Sequence, residues 1–384
     1  MTVNLNFDMW SPQYQDNLQQ LYKVLRDDHP VFEYASDSNE HAKCWVISRY
    51  DDVQSIFRDK ARFKNATTRN DLIPQFQSSD DELHKGLRNE VFPRLVMSAI
   101  AHLEPEIERI VNEVFDEVEP NGGCELARNV AFEIPKRVVP ILLGFPEHLA
   151  DRILKLVDPL AGYDPKRPVF PGPTLGDDLI AVIDELIDYK REHPGDDVMS
   201  QLMACEQQGD ILPGGSAMIA RSFAFAAFDT TVNLIANGTV LLAENPQQRQ
   251  KLIDNPQLMS QAVDEMLRME SPTQMIPRRA IEDVELHQQT LAAGDEILLL
   301  VGSANRDERH FSDADTFNIE REKIDHISFG FGVHTCVGRH LAKLEASVYF
   351  KELLRRFPNY QIGQCRYKAS GWSRSFAEVQ FLVR

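Results

Sequence analysis

The chain is short of positive charge: 41 lysines and arginines stand against 59 aspartates and glutamates in 384 residues, a formal net charge of −18. Without a basic surplus a protein has little hold on phosphate backbones, so nucleic acid is not an expected partner. Cysteine is scarce too. The five present (Cys44, Cys124, Cys205, Cys336, Cys365) are odd in number, widely spaced and free of any CxxC or CxxH pairing, which argues against a disulfide framework or a zinc site and fits a reducing cytoplasm. The first twenty residues hold no apolar core of signal or anchor type, and no later run reads as long and uncharged enough to cross a bilayer, so no membrane is expected. Repeats and low-complexity tracts are absent. The proline- and glycine-containing segment from Tyr163 to Gly176 is too short and too apolar for a linker and reads as a loop between helices. Length alone would allow two or three domains, but nothing divides the chain, which reads as one domain over residues 1–384.

What is present is concentrated in the stretch Phe329-Gly330-Phe331-Gly332-Val333-His334-Thr335-Cys336-Val337-Gly338. Gly330 and Gly332 admit backbone conformations closed to other residues, so this stretch can lie as a tight turn against something flat. From Gly338 the apolar spacing becomes helical through Leu341, Leu344, Val348, Leu353, Leu354 and Phe357, stopping before Pro358. Cys336 therefore falls at a helix N-terminus, where free N–H groups and the dipole favour the metal-binding thiolate. A lone cysteine in a glycine turn is more often a packed structural residue; here the neighbours argue otherwise.

Taken in order, Leu21, Val24 and Leu25 mark a short helix closed by His29-Pro30. Val31–Tyr34 and Cys44–Ile47 read as a β-hairpin, with Asp51 and Asp52 capping the next helix. The polar segment from Lys64 to Asp81 reads as a loop with a short helix in it. His84 and Arg88 follow at i, i+4 on a helix, a spacing that also suits a solvated pair. Helices dominate from Leu103 to about Ala204. A long helix from roughly Gly214 to Ala243 carries Asp229, Thr230 and Thr231 in an otherwise apolar run; burying the acid unpartnered would be costly, while the hydroxyls can return hydrogen bonds to the preceding turn. Glu265 and Arg268 lie at i, i+3 on a further helix. Strands are expected around Val284–Leu286 and Glu296–Val301, and the C-terminal segment from Tyr367 reads as a hairpin whose tip can reach back to a pocket.

The Phe-Gly-x-Gly-x-His-x-Cys-x-Gly stretch resembles the heme-thiolate signature of the cytochrome P450 family, with every fixed position filled, and the likeness extends from about Leu21 to the C-terminus. The resemblance implies a mainly α fold, one helical domain with small β-sheets. It implies heme b with Cys336 as axial ligand, and His84, Arg88, Arg278 and His334 at the propionates. Thr230 would hydrogen-bond bound dioxygen and Asp229 would relay protons; Ala227 departs from the family's usual glycine, which narrows the groove there without removing the relay. Glu265, Arg268 and Arg321 would form a structural ion-pair network. By resemblance to the camphor-hydroxylating branch, Ser222, Phe225, Ala226, Gln274, Met275, Trp372 and Ser373 would line the pocket, suited to a compact terpenoid or substituted aromatic. Arg69 and Arg374 leave open a carboxylate on the substrate. The implied activity is insertion of one oxygen atom from O2, by hydroxylation or O-demethylation. The electrons would come from a 2Fe-2S ferredoxin with its reductase, docked near Arg339 and Lys343. A peroxide-using heme-thiolate enzyme and a non-catalytic heme sensor are the alternatives.

Overall fold

Two helices, Pro12–Asp16 and Leu18–Asp28, precede the first strands of the described chain. The computed structural model describes residues 12–35, 44–65, 76, 79–161, 173–368 and 370–383. The chain divides into two compact units. One comprises residues up to Ala66, Val240–Cys336 and Arg366–Phe376; the other comprises Thr67–Thr239, Val337–Cys365 and Ala377–Arg384.

In the first unit, Val31–Tyr34 pairs antiparallel with Cys44–Ile47, as the hairpin pattern predicts. Cys44–Ile47 then pairs in parallel with Glu296–Leu299, which runs antiparallel to Ile276–Ala280, and Phe63–Asn65 closes the other edge of this five-stranded sheet. The strand expected to reach Val301 stops at Leu299, and Val301–Ala304 turns into a short helix. Gly302 lies so close to the Gln274 amide that a Cβ there would be 2.1 Å from its oxygen. Asp51 and Asp52 sit in the first turn of the helix Tyr50–Arg58, not at its cap; there they complement the dipole. The sheet, that helix and Phe311, Ala314 and Ile327 share one apolar core, against which Phe331 packs. Each Å2 of apolar surface taken out of water stabilises by roughly 25 cal/mol, so this contact seats the glycine-rich turn against that core.

A second cluster gathers Tyr14, Leu18, Tyr22, Leu25, Met275 and Leu300. Of Leu21, Val24 and Leu25, expected to share one face of the helix Leu18–Asp28, Leu25 is buried and Leu21 packs against the cluster, while Val24 is exposed and Leu18, Tyr22 and Arg26 complete the inward face. Arg26 goes inward because its guanidinium meets Glu308 at 2.9 Å and its stem is apolar.

The second unit is built on the 30-residue helix Gly215–Glu244. This helix is long and apolar enough to cross a membrane, contrary to the sequence expectation, but 76% of its apolar window is buried within the protein. It serves as a core helix. Its start is capped from the preceding helix: Glu206 accepts N–H bonds from Gly214 (2.7 Å) and Ser216 (3.0 Å), covering donors a helix leaves unpaired. Near its end the Thr239 hydroxyl lies 3.0 Å from the Tyr349 hydroxyl and the Tyr360 hydroxyl donates to the Thr239 carbonyl at 2.6 Å, tying the helix Arg339–Arg356 alongside. Gly123–Glu125, Phe376–Leu382 and Gln361–Tyr367 form a three-stranded sheet, the last two being the arms of the expected C-terminal hairpin. Residues 163–172 of the segment read as a loop, and most of the expected loop from Lys64 to Asp81, lie outside the described residues; Pro173–Gly176, expected to be loop, open the helix Pro173–Glu192 instead.

Glu345, on Arg339–Arg356, is fully buried and its Oε2 has no hydrogen-bond partner among the described residues. Burial alone pushes its carboxyl up to about 8 from an ordinary 4.5. A raised carboxyl is protonated in the folded protein over a range where the unfolded chain has already ionised, so stability falls as pH rises from about 4.5 towards 8. Glu345→Gln is expected to remove that part of the pH dependence. The gap between the two values corresponds to an upper bound of roughly 5 kcal/mol at alkaline pH. Urea midpoints of both proteins at pH 5 and pH 9 check this; parallel losses would disprove it.

Candidate active site

The turn that carries Cys336 is fixed by its glycines. Gly330 and Gly332 adopt φ of +69° and +73°, the left-handed region that other residues avoid, and a Cβ on Gly332 would sit 3.0 Å from the Phe57 carbonyl oxygen. The Cys336 N–H donates to the Phe329 carbonyl at 2.8 Å, and the cysteine is exposed. Helix Arg339–Arg356 begins a little later than the spacing suggests, with Gly338 as its cap, so Cys336 belongs to the approach to the helix. His334 is half-buried, its Nε2 3.5 Å from Asn65 Nδ2. Arg58 lies over the Phe331 ring at 4.7 Å.

Behind this turn, Glu265 and Arg268 are completely buried and joined at 2.7 Å, and Arg321 reaches Glu265 at 3.2 Å. Arg268 also donates to the carbonyls of Asn305 (3.0 Å), Ala314 (2.7 Å) and Thr316 (3.1 Å), and Arg321 to those of Ser312 (2.6 Å), Asp313 and Thr316 (both 3.1 Å). One carboxylate thus anchors two guanidiniums that hold an irregular loop by its backbone. Sequence reasoning missed a second anchor, Asn305. Its oxygen accepts the Ile327 N–H at 2.8 Å and its amide donates to Ser271 and Ser328, each at 2.8 Å, immediately before the turn. The available signal was the polar Asn305-Arg306-Asp307 run a few residues after the apolar strand, directly following the short helix Val301–Ala304.

In the other unit the middle of Gly215–Glu244 is open. Ala226 and Asp229 are exposed and Ala227 and Thr230 half-buried, in a helix that is otherwise largely buried. The Thr230 hydroxyl donates to the Ala226 carbonyl at 2.9 Å, the local bond that mid-helix hydroxyls favour, which leaves its oxygen lone pairs to accept. Asn233 holds Asp229 at 3.0 Å. Ser222 is buried, accepting the Phe76 N–H at 2.9 Å and donating to Met218 at 2.8 Å. Phe225 lies on the same helix. His84 is buried and stacked on Phe76 with centroids 5.0 Å apart, and Arg88, a turn later, lies over Phe92.

The remaining candidates belong to the first unit. Arg278 is buried, donates to the Pro277 carbonyl at 2.7 Å and covers Phe57. Trp372 and Ser373 are half-buried at the tip of the C-terminal hairpin. Gln274 and Met275 depart from expectation: Met275 is core, and the Gln274 amide is consumed by the Ser271 carbonyl (2.6 Å) and the Tyr22 hydroxyl (3.0 Å), so both are 1% exposed. Arg374 is likewise corrected as a substrate-carboxylate binder, because it is buried against Glu270 at 2.9 Å. Arg69 lies outside the described residues.

Comparison with known proteins identifies the family. The family model for cytochrome P450 matches residues 216–360. The biotin biosynthesis cytochrome P450 of Bacillus subtilis (strain 168) is 30% identical over 388 residues, covering 96% of this chain and 97% of the relative. Among solved structures, P450BioI in complex with a hexadec-9Z-enoic acid ligated acyl carrier protein superposes with a TM-score of 0.87 at 29% identity, covering 97% of this chain and 99% of that one. A Mycobacterium marinum cytochrome P450 in complex with pseudoionone gives 0.87 at 26% identity, covering 100% and 98%. This chain belongs to the cytochrome P450 family: it is a monooxygenase with a mainly helical fold, and its cofactor is heme b with a cysteine thiolate, that of Cys336, as axial ligand.

Proposed function

We propose that the protein inserts one oxygen atom from O2 into an apolar, compact terpenoid or substituted aromatic, using electrons from a 2Fe-2S ferredoxin and its reductase. The observation that carries this reading is the open middle of Gly215–Glu244, where small Ala226 and Ala227 adjoin the acid–alcohol pair Asp229 and Thr230. Small apolar side chains leave room for a hydrocarbon, and the polar pair handles protons.

The residues present suit the cofactor. Cys336 is exposed at the end of a turn in which Gly330 and Gly332 present no side chain. His84, Arg88, Arg278 and His334 would hold the propionates, supplying donors and positive charge to two carboxylates. When bound, heme held by the Cys336 thiolate would supply the electron density for oxygen activation. The chain's own task is proton management. Thr230, its hydrogen committed to the Ala226 carbonyl, presents lone pairs that hold an incoming proton carrier, and Asp229, steadied by Asn233, passes protons on. Ser222, Phe225, Ala226, Trp372 and Ser373 would shape the substrate end. The Glu265–Arg268–Arg321 network would keep the cysteine turn in place.

Electrons would enter near Arg339 and Lys343. His340, between them, is held below its usual range by burial and then by these two charges, a local positive field in an acidic protein. An acidic ferredoxin fits such a surface. A second reading, a long-chain acyl substrate, is favoured by the acyl carrier protein complex among the structural neighbours.

The test is a titration of the ferric protein with monoterpenoids, pseudoionone, methoxyaromatics and hexadec-9Z-enoic acid, following the low- to high-spin change of the heme, then turnover with a ferredoxin system. A response confined to the terpenoids or aromatics supports the first reading, and one confined to the fatty acid supports the second. Charge reversal at Arg339 and Lys343 together is expected to slow ferredoxin-driven turnover while leaving the titration unchanged. In Thr230→Ala, O2-dependent product formation should fall by about 100-fold. Product from peroxide alone, with none from the ferredoxin system, would favour the peroxide-using alternative, and no product from either would favour the sensor.

A further inference from the structure

We infer that Gln15, in the N-terminal helix Pro12–Asp16, is a positioning residue for the substrate pocket, acting through the tip of the C-terminal hairpin. The inference rests on the reading that Trp372 and Ser373 face substrate. Among the described residues, that tip has no regular structure of its own beyond an isolated bridge between Ser373 and Thr273. Its backbone is also held at Trp372, whose carbonyl accepts the Gln274 N–H at 2.8 Å, at Arg374, whose N–H reaches the Pro272 carbonyl at 3.0 Å, and within the tip by the Ser373 N–H to the Ser370 hydroxyl at 3.3 Å and the Lys368 N–H to the Ser375 carbonyl at 2.8 Å.

Gln15 grips the same tip from the opposite end of the sequence. Its amide nitrogen donates to the carbonyl of Ser370 and, at 3.2 Å, to that of Ser373, bracketing Trp372 between two fixed points. Its side-chain and main-chain oxygens both accept from Arg374 Nη1 at 2.8 Å. Arg374 in turn pairs with Glu270 at 2.9 Å, and Glu270 with Arg306 at 2.8 Å. Gln15 is 1% exposed, so none of its four bonds competes with bulk water. The two carbonyls Gln15 holds, those of Ser370 and Ser373, stand on either side of Trp372. Gln15 therefore sets where the side chains of Trp372 and Ser373 lie, and a displacement of about an ångström there is enough to change ligand fit.

The test compares two heme ligands, imidazole and 4-phenylimidazole, on holoprotein carrying Gln15→Ala, Gln15→Glu or Trp372→Ala. Only the phenyl group reports on the pocket wall. Gln15→Ala is expected to weaken 4-phenylimidazole roughly tenfold, with imidazole affinity and heme content unchanged. Gln15→Glu keeps the acceptor for Arg374 but loses the donor to the two carbonyls, so it should show the same selective loss even where the alanine variant folds poorly. Equal loss for both ligands, or no loss in either Gln15 variant while Trp372→Ala alters the ratio, would overturn the inference and leave the pocket reading intact. If Trp372→Ala leaves the ratio unchanged, the pocket reading fails and the inference goes with it.

Discussion

Glu265→Ala is expected to cost about 3–5 kcal/mol, the range found when one partner of a buried ion pair is removed. Glu265 is the single carboxylate between Arg268 and Arg321, and its loss leaves two buried guanidiniums facing each other. Burial already pushes the Arg268 guanidinium below its usual range, with Glu265 opposing that shift. Against a total stability of about 5–15 kcal/mol, such a loss puts much of the population out of the folded state at growth temperature. Urea unfolding should show a lower midpoint with an unchanged slope, and purified protein should carry less heme. Glu265→Gln, which keeps the shape and one acceptor, should lose less. Full heme content and an unshifted midpoint in Glu265→Ala would show that the arginines find other partners and that the network is dispensable.

Cys336→Ser is expected to take monooxygenase turnover to background while leaving the fold intact. The side chain is exposed, so replacing sulfur by oxygen costs no core packing, and the turn is held by the Cys336 main-chain N–H, which serine keeps. What is lost is a soft, polarisable donor; a serine hydroxyl stays protonated at neutral pH and binds iron weakly. The measurement is the spectrum of the reduced protein with carbon monoxide, read beside far-UV circular dichroism. The band diagnostic of thiolate ligation should vanish with the dichroism unaltered. A surviving thiolate band would mean that one of the other cysteines is the ligand.

These two residues were legible in the sequence for different reasons. Cys336 was marked by spacing within ten consecutive residues, and local backbone physics carried the reading. Glu265 and Arg268 were marked by helical spacing, but Arg321 lies far along the chain and only the resemblance joined it to them. Readings failed where packing across distant segments decides. The helix Leu18–Asp28 offers two apolar faces, and its inward face is set by Met275 and Leu300, which no local pattern reveals. Gln274 and Arg374 look like polar pocket residues until Tyr22, Gln15 and Glu270 are found to satisfy them. The long helix Gly215–Glu244 is apolar enough to cross a membrane, a property the sequence reading did not register, and 76% of its apolar window is buried within the protein.

The five-stranded sheet also bears on how the chain folds. Val46 pairs with Leu298 in its middle, and Asn65 with Arg278 at its edge, so strands made early in synthesis wait for partners made more than two hundred residues later. At about 5–20 residues per second on the ribosome, the hairpin Val31–Ile47 spends ten seconds or more with an open edge. Such long-range closure slows folding and leaves an aggregation-prone strand exposed. Yield on overexpression should therefore depend on translation speed and holding chaperones more than on the stability of the finished protein.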